Sequence, residues 1–251
     1  MIASLMLDLD DAPDFPGNTG TALGRAFAAY PLMAAKSARH VGRHFVASDS
    51  PAVKAVALQY AAILLDPPTG ERTLASLLSH GLAAMTKELR GEDQGLELLV
   101  LLFSNAPAVT AQAIDDGIEA LHGRSELDSA ATVSPHNRFP PLAARREGAD
   151  GLLEPWLAQA KADPQSAEAW YPDWGAQVLR PAKIERPDGA EPYPWLGRKV
   201  LPLKQWGGGP IDYQWQVPAM EFWLKKHGVT DSTSNLERQP KPQAAPKGDR
   251  R

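Results

Sequence analysis

The chain has 251 residues, 43% of them apolar and 22% charged, and a net charge of −4 at neutral pH. That is enough chain for one sizeable α/β domain, and the acidic balance leaves no global basic field to draw nucleic acid or an anionic membrane. The absence of cysteine excludes disulfides, thiolate metal sites and a cysteine nucleophile.

The opening residues, 1–9, are apolar enough for a central strand. They lack a basic flank, and Asp8, Asp10 and Asp11 interrupt them at once, so they read as a buried strand and not as a signal peptide. No apolar run approaches the roughly 18 residues of a membrane span, and the expected location is cytoplasmic. Pro13, Pro16, Gly17, Gly20 and Gly24 make the following stretch a loop. A helix is expected from Arg25 to Val41, with cations near its end where they suit the dipole. His44–Ser48 is a short strand, and Asp49-Ser50-Pro51 supplies an N-cap and a first-turn proline for a helix to Ala61.

Ile63–Leu65 reads as another strand. Leu74, Leu77, Leu78, Leu82, Met85 and Leu89 then mark one face of a helix over 73–90. Leu96–Phe103 is nearly all apolar, as in a strand buried on both faces. Ser104–Pro107 is a loop, Thr110 caps a helix to Leu121, and Ser129–Ser134 is a strand. Residues 135–215 change character and hold Trp156, Trp170, Trp174, Trp195, Trp206 and Trp215. This segment is expected to be a β-rich extension wrapped on the sheet, or a dimerisation element. Val217–His227 is a last helix closed by Gly228. The expectation is therefore one domain over 1–228 and a polar, disordered tail over 230–251.

Strand and helix alternate through the first half, which is the signature of an α/β fold with a mostly parallel sheet and covering helices. A ligand then belongs at the carboxyl ends of the strands, in the loops 8–20, 48–50 and 103–107. Asp8, Asp10 and Asp11 are either metal ligands at a strand end or an acidic solvated loop. Gly17 and Gly20 serve either a close phosphate approach or a plain turn. Asp49 suits a substrate contact or a helix cap equally well. Asn105 can read a nucleotide or an acid from its loop, or bond its own backbone. Arg138, Arg145 and Arg146 can grip a carboxylate bidentately or form a surface basic patch. His136, the one histidine near that patch, has no identifiable partner as a base.

Several segments in order resemble the acylneuraminate cytidylyltransferases, which activate acidic sugars as CMP conjugates. Phe15-Pro16-Gly17-Asn18-Thr19 is similar to the family's Pro-Gly-Lys-Asn turn with the lysine missing. Tyr30-Pro31-Leu32, Phe45–Asp49 and Leu101–Pro107 are similar to its next three segments. Ile211–Gln214 resembles its late Asp-x-Asp segment. Trp195–Arg198, Asp212–Pro218 and Trp223–Gly228 fit a bacterial subgroup with a Trp-rich second half. The resemblance implies a Rossmann-like nucleotidyltransferase fold, CTP and an acidic sugar-type substrate, Mg²⁺, and a homodimer or pairing with a homologue. It places Asp212, with Asp8 or Asp10, on the metal and at the chemistry, and Gly17 and Asn18 at the nucleotide.

Two departures pull the other way. The family's early Arg and Lys, which neutralise the triphosphate, are replaced here by acidic residues and a gap. The second late carboxylate is replaced by Gln214, a weaker ligand for Mg²⁺. The expectation is thus either CMP transfer from CTP with release of pyrophosphate, or a catalytically inactive relative acting as a scaffold or partner subunit.

Overall fold

The computed structural model describes residues 1–8, 20–70, 72–135, 141, 144–149, 151–156 and 169–230. Asp10, Gly17, Asn18, His136, Arg138 and the tail 231–251 lie outside the described residues.

The apolar runs form the strands of one sheet: β1 (Ile2–Leu7), β4 (Arg43–Ala47), β5 (Ile63–Leu65), β6 (Leu98–Phe103), β7 (Ser129–Pro135), β10 (Trp170–Leu179) and β11 (Val200–Lys204). Their spatial order is β11-β7-β10-β6-β1-β4-β5. Only β10 runs antiparallel to its neighbours, and the other pairings are parallel. Two short hairpins stand outside this sheet, β2 (Thr21–Ala22) with β3 (Arg25–Ala26), and β8 (Arg145–Glu147) with β9 (Leu153–Pro155). The helices are α1 (Ala29–Ser37), α2 (Pro51–Gln59), α3 (Leu74–Gly91), α4 (Ala111–Gly123), α5 (Pro181–Glu185) and α6 (Val217–Lys226).

Side chains alternate across the central strands, and the two resulting faces take different helices. Met6, Val46, Val100 and Leu102 pack against Leu32 of α1, Val53 and Ala57 of α2, and Ile114 and Ile118 of α4. Leu5, Leu7, Phe45, Leu99 and Leu101 pack against Leu78, Leu82, Met85 and Leu89 of α3 and Ile184 of α5. Full burial of β1 and β6 on both faces explains why neither shows polar alternation. Ser50, Thr73 and Thr110 each cap a helix by accepting from the backbone N–H three residues on, at 3.5, 3.2 and 3.1 Å. Each such cap stabilises its helix by about 1 kcal/mol.

The segment 20–28 departs from the expected helix. Leu23 and Gly24 have φ of 48° and 74°, the pair of left-handed residues that a tight two-residue hairpin turn requires. The helix therefore starts at Ala29, and Arg25 sits on β3. In the expected extension, β10 and β11 are integral strands of the main sheet, while β8 and β9 stand apart. Trp195 belongs to the core and donates from Nε1 to Oε1 of Gln177 at 2.9 Å.

Candidate functional site

The parallel strands β1, β4 and β6 end side by side, which brings residues 8, 48 and 104 together. Asp8 accepts from the hydroxyls of Ser48 and Ser104, one on each carboxylate oxygen, both at 2.6 Å. Both serines are buried. The backbone N–H of Ser50 donates to Ser48 Oγ at 3.0 Å, which ties the start of α2 into the same cluster. Asp8 thus clamps three strand ends, and its two oxygens are already engaged before any ligand arrives.

One residue further along β6, Asn105 faces a different partner. Its side chain is 7% exposed, and Nδ2 donates to Asp212 Oδ1 at 3.3 Å. The backbone of Ile211 donates to the Asn105 carbonyl at 2.9 Å. Asp212 is held in turn because Gln216 Oε1 accepts from the backbone N–H groups of Asp212 and Tyr213, at 2.7 and 2.9 Å. Oδ1 of Asn105 is buried without a donor. Burial pushes the Asp212 carboxyl above its ordinary value, and the Asn105 hydrogen bond opposes that rise.

A second carboxylate hub lies at the same edge of the sheet, and sequence reasoning missed it. Asp173 is 1% exposed. Its Oδ1 accepts from Thr132 Oγ1 at 2.5 Å and Gly175 N at 3.2 Å, and its Oδ2 from Ser134 Oγ at 2.6 Å and Gln205 Nε2 at 2.8 Å. The register between β10 and β7 shifts between Pro172 and Gln177, and Trp174 has a φ of 64°. This bulge turns the carboxylate inward. A Cβ on Gly208 would stand 2.4 Å from Asp173 Oδ2, so only glycine lets that loop close over the hub. The available signal was the polar pair Thr132 and Ser134, two residues apart on one face of an otherwise apolar strand.

The remaining candidates are dispersed. Asp49 pairs with Arg72 at 2.5 Å, and the hydrogen bond from Arg72 holds its carboxyl below the usual range. The α2 cap itself is Ser50. Arg145 lies exposed on β8 and donates to the Ala144 carbonyl, while Arg146 pairs with Glu154 at 2.7 Å and covers the Trp156 ring. Asp8, Asn105 and Asp212 are thus gathered at the carboxyl edge, whereas Asp49 is engaged by Arg72 and Arg145 stands on a separate hairpin. Among the described residues, no group of three or more His, Asp or Glu side chains could hold a metal ion. No described helix is long and apolar enough to cross a membrane.

A third apolar cluster builds one wall of this edge. Ala22, Leu23, Phe27 and Tyr30 pack there with Ala108, Ile211, Met220, Trp223 and Leu224. Glu221 Oε1 accepts from the Leu23 N–H at 3.1 Å, and Tyr30 donates to the Ala22 carbonyl at 2.5 Å. The β2–β3 hairpin is thereby fixed to α6 and to the segment that carries Asp212.

The sheet order, its single antiparallel strand and the polar carboxyl edge define a Rossmann-like nucleotidyltransferase fold. No family model matches the sequence, and no curated protein sequence matches it either. Solved structures do match in fold. A CMP:2-keto-3-deoxy-manno-octonic acid synthetase complexed with CTP superposes with a TM-score of 0.64 at 10% identity, over 90% of this chain and 99% of that one. The 4-diphosphocytidyl-2C-methyl-D-erythritol synthase of Anaerococcus prevotii DSM 20548 gives 0.58 at 12% identity, over 89% and 96%. A further structure of a synthase of that name gives 0.60 at 13% identity, over 89% and 97%.

Proposed function

We propose that the protein is a cytidylyltransferase, transferring CMP from CTP to an acidic sugar or related acid. The observation that supports this most is the near full-length match to a synthetase complexed with CTP, together with Asp8, Asn105 and Asp212 at the carboxyl edge where such a sheet binds its ligand. In this reading an oxygen of the acid attacks the α-phosphorus of CTP, the bond to the bridging oxygen breaks, and pyrophosphate leaves. Positioning and charge neutralisation supply the rate. Asn105 meets the nucleotide, with Gly17 and Asn18 of the first loop. In this reading Arg138 and Arg145 are the candidates to hold the carboxylate of the acceptor, with Asp49 a further candidate substrate contact.

Mg²⁺ suits this set in a limited way. Asp212, with Asp8 or Asp10, would share it with the phosphate oxygens, which is how Mg²⁺ is usually held: a few carboxylates and the substrate itself. Asp8 offers only the lone pairs that Ser48 and Ser104 leave free.

That engagement of Asp8 favours a second reading, in which the chain keeps the fold without the turnover and serves as a scaffold or as the partner of an active homologue. The test is pyrophosphate release by the purified protein with CTP, Mg²⁺ and a panel of sugar acids. Release that is abolished in Asp212→Ala supports transfer. CTP binding with no release from any acid leaves the second reading standing.

A further inference from the structure

The first loop contains no cation in its sequence, and the hairpin that follows it carries the first one. Arg25 is the first basic residue of the chain. It is half-buried on β3, and its surroundings are unusual for a guanidinium. Nε is buried with no hydrogen-bond partner. Nη1 reaches only the thioether of Met33, at 3.6 Å, a weak acceptor. Among the described residues it forms no ion pair. A buried donor left without an acceptor is costly, and a planar fork of donors matches a carboxylate or phosphate.

The hairpin that carries Arg25 is built to stay in place. Leu23 sits in the left-handed region, uncommon for a bulky side chain. It is held there by its burial in the third cluster and by Glu221 on its N–H. Phe27 N donates to the Gly20 carbonyl at 3.0 Å and closes the hairpin. Through Ala108 and Ile211 the same cluster abuts the Asn105–Asp212 pair. A strained turn, anchored through Ala22 and Leu23 to the cluster that abuts the Asn105–Asp212 pair, carries in Arg25 a guanidinium with no ion pair among the described residues, which is a poor device for stability alone.

We infer that Arg25 is an anion-binding residue of this edge, gripping a phosphate or carboxylate of the ligand in place of the lysine the first loop lacks. The inference deepens the CMP-transfer reading and rests on it for the identity of the anion.

The test compares wild type with Arg25→Gln, Arg25→Lys and Arg25→Met by calorimetry, using CTP with Mg²⁺, cytidine, pyrophosphate and a sugar acid as separate probes. Loss of charge-assisted bonds should weaken the anionic probe about tenfold to a hundredfold in Arg25→Gln, with cytidine unchanged and Arg25→Lys between the two. A fall confined to CTP and pyrophosphate identifies a phosphate, and a fall confined to the sugar acid identifies a carboxylate. Arg25→Met, which removes the orphaned donor and can pack on Met33, should melt no lower than wild type without ligand, whereas a structural arginine would lower the melting temperature. Unchanged affinity of every anion in Arg25→Gln overturns the inference while leaving CTP binding intact. Wild type that binds pyrophosphate through Arg25 but not CTP keeps the inference and removes the cytidylyltransferase reading. Wild type that binds none of the probes removes both.

Discussion

Replacing Asp173 with Asn tests the buried hub that joins β7, β10 and the loop after β11. The change keeps shape and removes one acceptor oxygen in favour of an NH₂. If the amide nitrogen takes the Oδ1 position, it meets the Gly175 N–H at 3.2 Å, which cannot turn into an acceptor. If it takes the Oδ2 position, it meets Gln205 Nε2 at 2.8 Å. That group cannot rotate freely, because it also donates to the Ala108 carbonyl at 3.0 Å. The hydroxyls can adapt, since each oxygen has a second lone pair for the new NH₂ and Thr132 can turn its O–H to the Ala176 carbonyl at 3.3 Å, so the fixed Gly175 and Gln205 donors decide the cost. Either orientation therefore sets one fixed donor against the new NH₂ and removes the charge assistance of the other bonds; counted as two bonds to a charged group at about 1.5–3 kcal/mol each, the loss is about 3–6 kcal/mol. That is a large part of the roughly 5–15 kcal/mol that holds a domain together, and it corresponds to a fall of about 6–24 °C in Tm for a chain of this size. Thermal and urea unfolding of the variant, with unchanged m-value, is the assay. A Tm within a degree or two of wild type would refute the account of Asp173 as a fully engaged anion.

The titration of two carboxylates gives predictions of opposite sign. Burial raises the Asp212 pKa above its ordinary 3.8, so in the window between the unfolded and folded values the folded state holds more protons and stability falls as pH rises. Asp212→Asn should match wild type below that window, exceed it in stability at neutral pH, and lose any pyrophosphate release; thermal melts across the carboxylate range measure this, and a variant less stable at neutral pH contradicts it. For Asp115 burial is the largest influence and pushes its pKa up, but the backbone N–H of Arg39, its guanidinium and the backbone of His40 together outweigh burial and leave it lowered. Its contribution is complete above the unfolded value and is lost as pH falls through the folded one, so Asp115→Ala should lower Tm at neutral pH and flatten the acid limb. An acid limb as steep as that of wild type would exclude Asp115 as its source.

Much of the fold was legible because its strongest signals are local. Leu98–Phe103 can be little other than a doubly buried strand, and α3 announces its buried face through six apolar residues at helical spacing. The cap Thr110 was visible for the same reason, whereas the cap expected at Asp49 falls one residue later, at Ser50. The hairpin at 21–26 was not, since Leu23 occupies a left-handed position that short-range propensity assigns to Gly or Asn. What holds it there is Glu221, distant in sequence. The integral place of β10 was hidden by its bulge, which breaks the alternation at Asp173 and Trp174. Asn105 was singled out from its loop and Asp212 from the family resemblance, but the hydrogen bond that joins them spans more than a hundred residues. Asp8 was legible as a strand-end carboxylate; that both its oxygens are taken by serines at the ends of two other strands is a property of the sheet order and of no local motif.

The charges at this edge constrain how a triphosphate could enter. Asp8 and Asp212 are both carboxylates, and the first loop adds Asp10, Asp11 and Asp14 in sequence. Two like charges about 4 Å apart cost about 4 kcal/mol at an effective dielectric of about 20, so a phosphate that approached Asp8 or Asp212 without a cation would meet repulsion of that order. A divalent cation between phosphate and carboxylate reverses the sign of each of these contacts. If the chain binds CTP as proposed, the nucleotide would therefore enter with its metal. Two consequences separate this from an ordinary cation-lined phosphate loop. Chelation of divalent metal should abolish CTP binding and not merely slow turnover. Added monovalent salt should weaken the metal-loaded complex while leaving metal-free CTP no worse, because in the latter case salt screens repulsion. CTP affinity that survives chelation would mean that the cations of this edge outweigh its carboxylates.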